Sequence, residues 1–158
     1  MATPAVTALA DQIGAAVTDA VRLHTQIGHH QGITPHQLST PHPWLTRQVH
    51  TLVDTLRTGN GRLCPHIGPA PLVLYGAAWA PGHLVCPRCI AALRPDDTED
   101  STCDRCRRPA TPIYAGMAQS GLLLLAYGLC RRCARRTGLG PTNLTHTRST
   151  DSSTPNYR

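Results

Sequence analysis

Phenylalanine and lysine are both absent from the 158 residues, aromatic side chains make up only 4% of the chain, and Glu99 is its single glutamate. Each absence excludes something. With so few large rings, and with 14 Pro and 13 Gly interrupting regular elements, an ordinary core cannot be built along the whole chain. Sequences this short of large apolar side chains rely on a cross-link or a metal to stay folded. Long hydrophobic runs are missing too: the longest, at 122–127, is far too short to span a bilayer. The first twenty residues have no basic start and carry Asp11 and Asp19 through their apolar stretch, so they do not read as a secretory leader. The expected location is therefore cytoplasmic, where thiols stay reduced and paired cysteines more often bind metal than form disulfides. All 15 basic residues are Arg. Alongside abundant Ala, Pro, Thr and Gly, that exclusivity looks like the coding bias of a GC-rich genome and says little about binding.

What is present falls into two parts. Residues 4–27 carry Val6, Leu9, Ile13, Val17, Val21 and Ile27 at helical spacing with Ala16 and Ala20 between them, and Thr3-Pro4 supplies a start. Gly28 is the expected stop. A His- and Pro-rich loop at 29–43 follows, then a second helix with Leu45, Val49, Leu52, Val53 and Leu56 on one face, ending at Gly59. The two apolar stripes are expected to pack on each other and on the segment that follows. That gives an N-terminal helical segment (1–60), two small units (61–95 and 103–139) separated by an acidic linker (96–102), and a disordered tail (140–158) rich in Thr, Ser, Asn and Pro.

Chemistry is concentrated between positions 64 and 133. Cys64-Pro65-His66, Cys86-Pro87-Arg88-Cys89, Cys103-Asp104-Arg105-Cys106 and Cys130-Arg131-Arg132-Cys133 make four pairs of soft ligands. A Cys-x-x-Cys turn brings two sulfurs onto one ion while backbone amides point at them. Eight ligands are what two closed tetrahedral sites require, so two Zn2+ ions are the expected cofactors, with iron chemically possible in the second, all-cysteine site. His83, three residues before Cys86, competes with His66 for the eighth position. Each unit repeats one plan: ligand pair, β-hairpin, ligand pair, short helix. The turns are expected at Pro81-Gly82 and near Ser120-Gly121.

This order resembles the treble-clef zinc finger, and two in tandem resemble a LIM-like, zinc-ribbon-like arrangement; in texture the chain is also similar to uncharacterised small zinc-finger proteins of actinobacteria. The resemblance implies a small α+β, metal-stabilised fold of knuckle, hairpin and short helix, twice over. One departure stands out. A standard knuckle places its second ligand where this chain has Ile67, and the His comes one residue early. Sequential pairing would join Cys64, His66, Cys86 and Cys89 on one ion and Cys103, Cys106, Cys130 and Cys133 on the other. A cross-brace would join first pair to third and second to fourth; the hairpin inside each unit favours the sequential form.

Catalytic signatures are absent. His-Glu-x-x-His does not occur, nor does His-x-Glu followed by Pro-Cys-x-x-Cys, and Glu99 lies in the linker. A non-enzymatic binding module is the expectation. Charge suggests the partner. Seven thiolates and two divalent ions bring the formal +6 down to about +3, and residues 101–140 hold seven Arg against Asp104, while the first unit taken with its linker, residues 64–100, holds two Arg against four acids. Arg105, Arg107, Arg108, Arg131, Arg132, Arg135 and Arg136 form the candidate nucleic-acid contact; the competing use of such arginines is neutralisation of thiolate charge. A protein partner meeting the N-terminal helices is the alternative, and no membrane contact is expected. His29, His30, His36 and His42 read as solvated polar residues, and Trp44 and Trp79 as packing residues.

Overall fold

The protein is described here by a computed structural model covering residues 3–31, 33–37 and 42–140. The tail at 141–158, expected to be disordered, lies outside the described residues. Helix α1 spans Pro4–Gln31, strand β1 Thr34–Gln37, helix α2 Pro43–Arg57 and strand β2 Arg62–Leu63. Strands β3 (Leu74–Ala77) and β4 (Ala80–Val85) form the first hairpin, followed by a 3-10 helix over Pro87–Leu93 and the single turn α3 (Asp97–Asp100). Strands β5 (Ile113–Ser120) and β6 (Leu123–Cys130) form the second, and α4 (Arg131–Thr137) follows directly. The result is small and α+β, with a helical N-terminal region and a mixed sheet.

The sheet is where the chain departs most from two separate fingers. Its six strands run β1-β5-β6-β3-β4-β2. The hairpins β3–β4 and β5–β6 are each antiparallel, but β3 lies parallel to β6, from Leu74 beside Leu123 to Ala77 beside Ala126. Both units therefore share one sheet. Alternate residues of β6 then face opposite layers, as period-two geometry dictates. Leu124 packs with Ala20 of α1, Tyr75, Val85 and Met117, whereas Leu125, Tyr127 and Leu129 pack with Trp44 and Leu45 of α2, and Leu123 with Leu52 and Leu84. Helices α1 and α2 thus lie on opposite faces of the sheet. Their stripes meet β-strands and not each other, which corrects the expected helix-on-helix packing.

Other local expectations shift for identifiable reasons. Helix α1 runs through Gly28 to Gln31, because Leu23 and Ile27 are packed against the sheet and tertiary contact outweighs the ~1 kcal/mol that an interior Gly costs. Strand β1 occupies part of the expected loop, pairing parallel to β5 with Thr34 beside Gly116; a strand containing Pro35 is tolerated at a sheet edge. The first hairpin turns at Ala78-Trp79, with Ala77 paired to Ala80, not at Pro81-Gly82. Gly82 has φ of 77°, and a Cβ there would strike the side chain of Thr55, so its freedom serves the close approach of β4 to α2. On α2, Leu45 and Leu52 are buried but Val53 is 51% exposed. The second hairpin turns at Gly121, φ 56°, as expected.

Candidate metal centres

Both ligand sets form at the same place in the repeated plan, where the second strand of a hairpin runs into a short helix. In the first, the N–H of Cys64 donates to the carbonyl of Leu84, two residues before Cys86 (3.1 Å). In the second, the N–H of Asp104 donates to the carbonyl of Gly128, two residues before Cys130 (2.9 Å). Each knuckle is thereby hydrogen-bonded to the strand that delivers the other two ligands. Cys86 then precedes the 3-10 helix and Cys130 occupies the N-cap of α4, so Cys89 and Cys133 return one turn later towards the same point.

The ligand atoms of Cys64, His66, Cys86 and Cys89 all lie within 4.8 Å of one another, and so do those of Cys103, Cys106, Cys130 and Cys133. Pairing is sequential. His66, not His83, joins the first set: its Nδ1 is 3.2 Å from Cys89 Sγ, while His83 sits on β4 beside Arg62. Ile67, at the position a standard knuckle would give a ligand, is partly buried and packs against the apolar clusters of the sheet. Tetrahedral coordination with bonds of about 2.3 Å would put sulfurs roughly 3.8 Å apart; Cys106 Sγ and Cys130 Sγ are 4.0 Å apart. That spacing is about twice a disulfide bond. The donor set and its dimensions fit a metal ion at each centre, and the two clusters could hold two ions.

Electrostatics agree with that chemistry. Desolvation pushes the Cys64 thiol up, but hydrogen bonds from Cys86 and His66 outweigh it and bring the pKa down to about 6; the N–H of Cys86 is 3.2 Å from Cys64 Sγ. Cys89 goes the other way, to about 11, through desolvation and then the neighbouring Cys86 and Cys64. In the second cluster desolvation drives Cys133 up to about 12, against the Arg105 side chain, whose Nη1 lies 3.7 Å from Cys133 Sγ. Protons and a divalent cation compete for the same sulfurs, and a cation relieves the crowding of thiolate charge that keeps some of them protonated.

The seven arginines of the candidate patch separate into groups. Arg105 contacts a ligand sulfur. Arg107, at φ 54°, closes the second knuckle by donating its N–H to the carbonyl of Cys103 (2.8 Å); its guanidinium bonds Glu99 Oε1 at 2.6 Å and lies 3.7 Å from Asp104 Oδ1. The acidic linker thus anchors the second knuckle. Arg108 is exposed and accepts at its carbonyl from Cys103. Arg131, Arg132, Arg135 and Arg136 are exposed and line one surface depression on α4, while Cys133 and Ala134 face inward.

Sequence reasoning missed Asp104 as a positioning residue. Its carboxylate is buried and accepts from the N–H of Gly128, locking the knuckle to β6. A lone acid inside an arginine-rich segment was the available signal. Trp44 serves packing, as expected, meeting Tyr127 edge-on with centroids 5.7 Å apart, while Trp79, partly buried, donates Nε1–H to the Leu93 carbonyl at 2.8 Å. His42 is a cap, its Nδ1 accepting from the N–H of Trp44. Among the described residues no helix is long and apolar enough to cross a membrane. Compared with known proteins, the chain matches no family model, no curated protein and no solved structure.

Proposed function

We propose that this chain is a non-catalytic module in which two structural zinc ions, each in a treble-clef-like setting, fix a scaffold that presents α4 to nucleic acid. Thiolate-rich four-ligand sets favour zinc over hard cations. Four protein ligands at each centre leave no position for a substrate, so the ions serve the fold. A reducing compartment such as the cytoplasm keeps such ligands available.

The observation that carries the nucleic-acid reading is the arginine quartet. Arg131, Arg132, Arg135 and Arg136 converge on one depression, and among the described residues no carboxylate lies within ion-pair distance of them. Arg105 and Arg107 already meet the local needs of the thiolates and the linker. Four unpaired like charges on seven residues, two of them in the first turn where the helix dipole disfavours cations, cost stability that phosphate contact would offset.

Native mass spectrometry of protein purified without chelator should show two zinc ions per chain. Fluorescence anisotropy should show DNA or RNA binding that weakens with salt, and changing the four arginines to Gln should flatten the salt slope by about 0.9 per lost duplex contact without altering zinc content. No wild-type binding at low salt would remove the nucleic-acid reading; a metal stoichiometry other than two would remove the zinc reading.

A further inference from the structure

Helix α1 contains a strict heptad seam that the fold uses only in part. Val6, Ile13, Ala20 and Ile27 occupy one seam position of successive heptads, and Leu9, Ala16 and Leu23 the other. In the second half, Ala16 and Ala20 are buried, and Leu23 and Ile27 pack with the Tyr75–Met117–Leu124 layer. The first half runs past the sheet. Every residue from 4 to 15 is exposed, and Val6, Leu9 and Ile13 show 56%, 48% and 42% of their surface to solvent.

We infer that this projecting seam is covered by the same seam of a second copy, the two helices antiparallel, in a symmetric dimer. Three observations favour that occupant. First, the seam is self-complementary: antiparallel heptads pair one seam position with the other, so Leu9 meets Ile13 of the second copy and Ile13 meets its Leu9. Second, nothing flanking the seam repels. The flanking residues are Ala10 and Gln12, and Asp11, the one charge between positions 4 and 15, lies on the far side of the helix. Third, the area suffices. Twelve helical residues span about 18 Å, and two such faces bury on the order of 1,000 Å2, about the area a biological interface should clear. The same register carries Val6 to Ala16 of the second copy, at a groove between α1 and the segment before β3 lined by Leu23, Leu72 and Val73 together with the mutually paired Asp19 and Arg22, and filling that groove adds area. A lipid surface fits less well, because the projecting half has no basic residue and no aromatic anchor. This inference is independent of the nucleic-acid reading.

Sedimentation velocity of the full metal-loaded chain tests it. Wild type should shift with concentration from 17.0 kDa to twice that mass. L9E/I13E and L9K/I13K should each self-associate at least tenfold more weakly, with unchanged circular dichroism and zinc content, since Leu9 and Ile13 are exposed and carry no part of the core. An equimolar mixture of the two variants should restore the dimer through complementary charge. A wild type that stays monomeric at every concentration overturns the proposal and leaves the seam to a partner of different sequence. A dimer that persists in L9E/I13E overturns it as well, by placing the interface elsewhere.

Discussion

Replacing Gly116 with Ala tests the packing around the second cysteine cluster. Gly116 on β5 stands directly opposite Tyr127 on β6, and an added Cβ would run into the Tyr127 ring and hydroxyl. The ring has no room to withdraw. Tyr127 is 1% exposed, its hydroxyl donates to the Leu139 carbonyl at 3.1 Å, and Trp44 abuts it at an interplanar angle of 89°. Overpacking of this kind costs about 1–3 kcal/mol. Loss of the buried hydroxyl bond adds about 1 kcal/mol, and disturbance of the aromatic pair about 0.5–1 kcal/mol. The expected total is about 2.5–5 kcal/mol, or a fall of roughly 5–20 °C in Tm for a chain of this size. Urea unfolding of zinc-loaded protein, followed by the fluorescence of Trp44 and Trp79, reads the change. Gly14→Ala is the control: nothing lies within 4 Å of a Cβ there, and helix propensity predicts a gain of up to about 1 kcal/mol. A Gly116→Ala protein within about 0.5 kcal/mol of wild type, well short of the overpacking cost, would refute the reasoning.

Two further outcomes are expected. His66→Ala should lower zinc occupancy to about one ion per chain under competing chelator, whereas His83→Ala should retain both; equal loss in the two, measured by native mass spectrometry, would contradict the ligand assignment. His42 must be neutral at Nδ1 to cap α2, and its pKa is lowered by desolvation and by Arg105 and Arg47. The unfolded chain therefore takes up the proton first, and the cap's contribution, present above the ordinary histidine pKa, is lost as the pH falls below about 6.5. His42→Asn keeps a capping side chain without the titration, so chemical denaturation from about pH 7.5 to about pH 5.5, a window that spans the ordinary histidine pKa, should show a shallower decline for the variant than for wild type. Parallel declines would mean that His42 contributes nothing to the pH dependence.

The sequence makes the ligands far more legible than their surroundings. Cys-x-x-Cys spacing is local geometry, so the cysteine members of both clusters can be read without knowing the sheet, whereas the choice of His66 over His83 comes only with the fold, which brings His66 Nδ1 to 3.2 Å from Cys89 Sγ. Periodicity, by contrast, reports that a helix has an apolar face and not what covers it. Val6, Leu9 and Ile13 share a face with Ala20, yet the sheet reaches only the second half. Strand β1 is illegible because Thr34-Pro35-His36-Gln37 lacks apolar alternation; its place comes from pairing with a strand far along the chain. Pro81-Gly82 is a strong turn signal that the fold uses for another purpose, the approach to Thr55. Charge counting could not separate Arg105 and Arg107, bound to a sulfur and to the linker carboxylate, from the four arginines of α4.

The parallel contact between β3 and β6 has a consequence for how the chain must be made. On a ribosome the first four ligands emerge well before the last four, and in an independent finger they could bind metal and finish folding at once. Here β3 lacks one neighbour until β6 has been synthesised, and β1 waits still longer for β5. Until that point the nascent protein carries open strand edges beside reactive thiols, the kind of exposure that invites misassembly. Completion is therefore an event of the whole chain, set by contacts between residues far apart in sequence, and a fragment cut between the two cysteine clusters would leave each half with an unfinished sheet.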